Sequence, residues 1–401
     1  MCKYHNVETA DTSSINRERV TRKSRERIAL AVIFFADGCA FGIWAAHIPQ
    51  IQQNLGLRAG GLAIALFGLV GGAMIAMPTA GAIVARIGSS RLTNFGAIVS
   101  LAALAAPGAA TSLFWLVAGT FIFGLTRGLV EVAMNANAIA LQRDTGRPIL
   151  SSFHGCFSLG GFAGAGIGAL ELALGGTTFE HLAAVGLGLA LVAAVAGRSV
   201  YEDRVVAAGE MSKLARRRVV TPALVALGVA AFCVLLGEGA LADWSAVFLR
   251  TVIGVTVTAA ATGYAAFSLA MMAGRFAGDR IVHALGPRTV VAYGSLTAAA
   301  GMALLLILPS YWTTIAGFTL VGIGLSNAVP VIFGAAGEEV PDGVGVATVS
   351  TLGYAGFLAG PPLIGGIAQF AGLRVGLSIV ALACSLAAIA GLRYIRGTEH
   401  R

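Results

Sequence analysis

The sequence predicts an all-α membrane protein of twelve transmembrane helices, arranged as two pseudo-symmetric six-helix bundles. Three observations predict it. Hydrophobic residues make up 57% of the 401 and charged residues only 11%, against about a quarter charged in an average soluble domain. So little charge could not cover a soluble surface. The apolar residues also fall in runs such as Ile28 to Ala46 and Leu62 to Val84. A helix of roughly 20 apolar residues crosses the ~30 Å hydrocarbon core. Finally, many positions repeat at one constant offset of 198 residues.

Taken in order, residues 1–27 are polar and hold Lys3, Arg17, Arg19, Arg22, Lys23, Arg25 and Arg27. The charged stretch is too long for a signal peptide and the apolar run behind it is of spanning length, so it reads as a retained cytoplasmic tail. Apolar runs between charged or Gly/Pro breaks then give spans at 28–50, 59–85, 92–111, 113–141, 150–174 and 181–198. A linker at 199–219 follows, with Lys213 and Arg216-Arg217-Arg218. The second set of spans is 220–249, 258–284, 288–308, 311–336, 344–372 and 374–394, and 395–401 is a second tail. The bundles are therefore expected at 28–198 and 220–394.

Alternate connections differ in charge. One side has the N-terminal tail, Arg86, Arg91, Arg143, Arg147, the linker, Arg280, Arg288, Arg393 and Arg396; the other has only Arg58, Arg250 and Arg374. Positive loops stay inside, which puts both termini in the cytoplasm of a bacterial inner-membrane protein. The net charge of +8 lies in these connections and does not point to nucleic acid.

The repeat pairs Gly88 with Gly286, Gly96 with Gly294, Ala118-Gly119 with Ala316-Gly317 and Gly124 with Gly322. It also pairs Ser152 with Ser350, Gly155 with Gly353 and Gly168 with Gly366. Outside that register, Asp37-Gly38 and Trp44 rhyme with Glu238-Gly239 and Trp244. The 54 glycines recur inside the spans, where small residues let helix backbones approach closely in lipid.

A charged side chain at the bilayer centre costs roughly 2.5–3.5 kcal/mol on insertion scales, so it faces a cavity or a partner. The spans contain few: Asp37, Arg127, Glu131, Glu238 and Asp243. Arg127 and Glu131 lie one helical turn apart and are expected to pair. That pair is either structural or one that a substrate or proton disturbs; Asn135 extends the stripe by another turn. Asp37 has no opposite charge in its own helix. It is either a proton-exchanging acid or a neutral one bonded to a neighbouring helix. Glu238 and Asp243, five apart, sit about 140° round a regular helix; Glu238 is the favoured site residue, and Asp243 is expected nearer the outer water. Trp44 and Trp244 either stack on a sugar ring or fill the core. His47 and His154 are expected to be structural or interfacial, and Glu171 to sit in outer water without a special role.

The stretch Gly81-Ala82-Ile83-Val84-Ala85-Arg86-Ile87-Gly88-Ser89-Ser90-Arg91 and the stronger Gly274-Arg275-Phe276-Ala277-Gly278-Asp279-Arg280 with Gly286-Pro287-Arg288 resemble the loop signature of the major facilitator superfamily. From residue 28 onward the chain resembles that family. The resemblance implies alternating access around a site between the halves, with Arg86, Arg275, Asp279 and Arg280 as gating residues. Ala85 stands where the signature has an acid. Glu131-Val132-Ala133-Met134-Asn135-Ala136-Asn137, together with Asp37, resembles the fucose-permease-like branch. Phe41-Gly42-Ile43-Trp44-Ala45-Ala46-His47-Ile48-Pro49 and Ser152-Phe153-His154-Gly155 look more like bacterial inner-membrane relatives of the rhizopine-locus type.

These resemblances imply proton-coupled symport of a small polar solute such as a sugar or cyclitol. Asp37, Glu131, Arg127, Asn135, Glu238, Trp44 and Trp244 would then be the coupling or binding residues. Gly360-Pro361-Pro362-Leu363-Ile364-Gly365-Gly366 resembles the antiporter motif and is expected to break or bend the eleventh span. That motif belongs on the fifth span, which lacks proline. Proton-driven efflux of drugs or metabolites is the alternative function; a non-transporting receptor or channel is a third. There is no Walker loop, catalytic triad or metal-ligand spacing, and the five cysteines are isolated. No enzyme activity, cofactor or metal is therefore expected; a proton gradient would be the energy source. The expected partners are the bilayer and a small-molecule substrate, and the chain is expected to be a monomer.

Overall fold

The structure is a computed structural model that describes residues 5–146, 149–202, 221–340 and 344–395, with backbone alone for 5–20. Lys3, Arg147, Lys213, Arg216 to Arg218, Arg396 and the side chains of Arg17, Arg19 and Asp279 lie outside the described residues.

The helices are α1 His5–Asn54, α2 Ala59–Ile87, α3 Ser89–Ala103, α4 Ala105–Gly108, α5 Leu113–Thr145, α6 Leu150–Leu174 and α7 Thr178–Ala196. Then come α8 Pro222–Phe248, α9 Val257–Ala260, α10 Thr262–Leu285, α11 Pro287–Ile307, α12 Tyr311–Leu325, α13 Ala328–Glu339, α14 Val344–Ala371 and α15 Leu373–Tyr394. The short pairs α3–α4, α9–α10 and α12–α13 each form one pass, so the described residues make twelve passes, ten of them long and apolar enough to cross a membrane. Burial is inverted relative to a soluble protein. Phe95, Phe114, Trp312 and Phe370 are exposed on the outside, whereas Asp37 and His47 are buried. That arrangement is stable when the surroundings are lipid.

Glycine sets how closely the helices pack. Gly38 and Gly42 of α1 abut the backbone of α6, and Gly160 and Gly164 of α6 abut α1. A Cβ on Gly124 of α5 would collide with the Leu69 carbonyl of α2; a Cβ on Gly322 of α12 would meet the Phe267 carbonyl of α10. Both the glycines and the carbonyls they meet are 198 residues apart, so the repeat is a repeat of packing. Gly88 between α2 and α3 has φ 87°, and Gly286 between α10 and α11 has φ 77°. Both values favour glycine. Each backbone N–H caps the helix before it, through Val84 and Val282, again 198 apart.

One expected span carries an internal break, and one expected break is absent. The tenth pass is broken at Ser326–Asn327 because the ring of Pro330 removes a donor and crowds the carbonyl of Ser326, four residues earlier. Conversely, α14 continues unbroken through Pro361 and Pro362, as packed transmembrane helices permit.

The two halves meet along α6 against α10, α2 against α14, and α1 against α8. At the end of the bundle away from the termini, Gly60 N–H donates to Gln369 Oε1 at 3.0 Å. At the same end Gln53, with its carboxamide turned over so that its oxygen faces donors, offers that oxygen to the Arg250 guanidinium.

Candidate functional site

The glycine contact between α1 and α6 brings Asp37 and Phe41 of α1 alongside Phe157 and Ser158 of α6, facing α5. Arg127 of α5 enters this corner. Its Nη2 donates to Asp37 Oδ2 at 3.1 Å, and the two side chains are only 14% and 5% exposed. The guanidinium stacks over Phe41 at 4.5 Å and lies 5.5 Å from the Phe157 centroid, a cation–π geometry that screens it from bulk water.

This corrects the expected pairing within α5. A guanidinium at the helix surface reaches across to α1, where glycine has drawn the neighbouring backbone close. Glu131 instead accepts from Tyr354 Oη of α14 at 3.4 Å. It still lies one turn from Arg127, so two carboxylates share one cation. Asn135 Nδ2 donates to the Glu131 backbone oxygen at 2.8 Å; the amide serves its own helix.

The second half has its own pair. Arg275 Nη2 of α10 donates to Glu238 Oε2 of α8 at 3.2 Å, and its Nη1 donates to Ser158 Oγ of α6 at 2.8 Å. Both charged side chains are 13% exposed. Arg275, expected as a gating residue by resemblance, thus belongs to the central cluster. Arg86 and Arg280 are exposed at helix ends. Ser326 and Asn327 explain the position of Arg275: Gly274 and Gly278 pack against their side chains, and Asn327 Nδ2 donates to the Gly274 carbonyl.

Within this cluster two links cross the seam between the halves, Arg275 to Ser158 and Glu131 to Tyr354. Tyr264 of α10 adds a ring edge-on to Phe41 at 6.2 Å. Some buried polar atoms here lack a partner: Arg127 Nε, Glu238 Oε1 and the Nε1 atoms of Trp44 and Trp244. Both indoles are fully buried, so neither presents a face to bulk solvent. Asp243, expected nearer water, is only 8% exposed because α8 is enclosed along most of its length.

Sequence reasoning missed Ser158, Tyr264 and Tyr354. Hydroxyls within apolar spans are common, and only the seam distinguishes these three. It also missed a grouping of His47, Glu171 and His181, which come from three helices and gather within 4.8 Å of one another. The expectation that no metal-ligand set exists rested on local spacing and does not apply to residues so far apart in the chain.

Comparison with known proteins gives a consistent picture. A family profile described as the Major Facilitator Superfamily matches residues 227–401. An uncharacterized MFS-type transporter of Yersinia pestis is 33% identical over 373 residues, 92% of this chain and 96% of that one. The membrane protein MosC of Rhizobium meliloti is 34% identical over 357 residues, covering 88% of this chain and 86% of that one. Among solved structures, the nucleoside transporter NupG superposes with a TM-score of 0.73 at 10% identity, over 92% of this chain and all of that one. The E. coli fucose:proton symporter FucP gives 0.65 at 18% identity, over 92% and 98%.

Proposed function

This chain belongs to the major facilitator superfamily, and from that premise we propose that it is a proton-coupled symporter of a small polar solute, a sugar or cyclitol. One observation carries the reading: a polar cluster, largely buried, bridges the seam and still has unpartnered donors and acceptors. Asp37, Arg127 and Glu131 lie on one side, Glu238 and Arg275 on the other, with Tyr354 and Ser158 as the bridges. A polyol hydroxyl both donates and accepts, so one hydroxyl serves the Arg127 Nε–H and another the Glu238 oxygen. Buried polar groups left unpaired cost about 1–3 kcal/mol each; a solute that satisfies them is bound, and one lacking hydroxyls is rejected.

The coupling follows from formal charge. Arg127 balances one of Asp37 and Glu131, and the other takes a proton when the site closes over an uncharged solute. Protonation of Glu131 weakens its claim on Tyr354, and solute loading bears on the Arg275–Ser158 link; both bridges must break for the halves to rock. The two solved neighbours are a nucleoside transporter and a fucose:proton symporter, and nucleosides and fucose both contain a sugar, which supports this substrate class. The basic connections support cytoplasmic termini in an inner membrane. Export is disfavoured by the absence of proline from α6.

The test is uptake of radiolabelled hexoses, 6-deoxyhexoses and inositols into proteoliposomes under an inward proton gradient. Gradient-driven uptake of one of them is expected, with Glu131→Gln reducing it more than tenfold while solute counterflow persists. Unchanged gradient-driven uptake in both Glu131→Gln and Asp37→Asn would sink the coupling scheme. Accumulation only under an outward gradient would make it an exporter.

A further inference from the structure

At the end of the bundle away from the termini, three acceptor atoms converge. His47 Nδ1 lies 2.9 Å from the Ile43 carbonyl oxygen, and a carbonyl only accepts, so that ring nitrogen carries the proton. His181 Nε2 lies 3.1 Å from the Gly175 carbonyl oxygen and is protonated for the same reason. In the neutral rings the facing nitrogens, His47 Nε2 and His181 Nδ1, are therefore both lone pairs, and they stand 3.1 Å apart. Glu171 Oε2 is 4.0 Å from His47 Nε2 and is itself a buried oxygen without a hydrogen-bond partner. Two imidazole lone pairs and a carboxylate oxygen point at one another with no donor among them.

We propose that this grouping is a binding site for a borderline divalent transition metal of the Zn²⁺ class. A tetrahedral zinc with Zn–N of about 2.0–2.1 Å sets its ligand nitrogens about 3.3 Å apart, close to the separation of the two rings. Each histidine donates its remote N–H to a backbone carbonyl, the outer partner that fixes tautomer and orientation in metal sites. Two nitrogens and one carboxylate favour zinc-like ions over magnesium or calcium.

The fold prepares the place. Gly168, one turn before Glu171, leaves room for the His47 ring. Gly175 and Gly176, with φ of 81° and 118°, turn the α6–α7 connection so that the Gly175 carbonyl meets His181. The neighbouring acid, Glu180, is occupied in a capping box with Thr177 and leaves the ligand set to Glu171. His47 is fully buried while Glu171 and His181 are half-buried, so a fourth position opens toward water. The metal would clip α1, α6 and α7 together. Nothing in it depends on the solute or proton scheme.

The test uses full-length protein purified in detergent with a tag free of histidine and stripped by a chelator. Zn²⁺ is expected to bind at one per chain by elemental analysis and to raise the melting temperature by about 5 °C; Mg²⁺ should do neither. His181→Ala and the size-preserving Glu171→Gln should each weaken Zn²⁺ binding at least tenfold. Zn²⁺ uptake below stoichiometry, or equal in the variants, overturns the proposal. Stability that changes with pH but not with added metal also overturns it, by assigning the grouping a shared proton instead.

Discussion

Arg275 reaches two partners on different helices, and this makes it the more informative of the two cluster arginines. Removing one member of a desolvated ion pair leaves the other charge buried, at a cost of about 3–5 kcal/mol. Arg275→Ala is therefore expected to lower the detergent melting temperature sharply. Adding Glu238→Ala should restore most of the loss, because the stranded carboxylate goes with it. A single variant that melts like the parent would mean that water already reaches the pair. The charged members of this cluster were legible in the sequence because charge in an apolar span is conspicuous. Their pairing was not: i to i+4 spacing favoured Glu131 for Arg127, whereas the position of α1, fixed by Gly38 and Gly42, decided for Asp37. The hydroxyls of Ser158 and Tyr354 gave no signal because serine and tyrosine are unremarkable in a span.

Among the helices, glycine has two uses that sequence alone does not separate. Gly124 of α5 presses against the Leu69 backbone, whereas Gly71 of α2 has open space around it. Gly124→Ala should therefore overpack α2 against α5, at about 1–3 kcal/mol, while Gly71→Ala should be neutral or slightly stabilising through helix propensity. Thermal melts of both variants check this, and equal melting temperatures would refute the close contact. Most passes were readable from apolar length, since a spanning helix has a minimum size. Breaks were not: Pro330 interrupts its pass but Pro361 and Pro362 do not. The difference lies in how surrounding helices resatisfy the freed backbone groups, which one segment's sequence cannot report.

For the molecule as a whole, the repeat read at an offset of 198 reappears as equivalent capping at Gly88 and Gly286, and as equivalent collisions avoided at Gly124 and Gly322. Two similarly built bodies touching at Gly60 and Gln369 must separate there if they rock. A Gly60→Cys/Gln369→Cys pair should form a disulfide on oxidation, stop transport and recover it on reduction; undiminished transport in the oxidised protein would mean that this end does not open. The arrangement of Asp37 and Glu131 around one arginine reaches further still. In the proposed symport scheme an odd negative charge would travel with the empty carrier and be cancelled when a proton boards with a neutral solute. Each cycle would then be an electrical event, displacing one elementary charge through the bilayer. A 100 mV potential contributes about 2.3 kcal/mol per charge moved, which alone would sustain a solute ratio of roughly fifty to one.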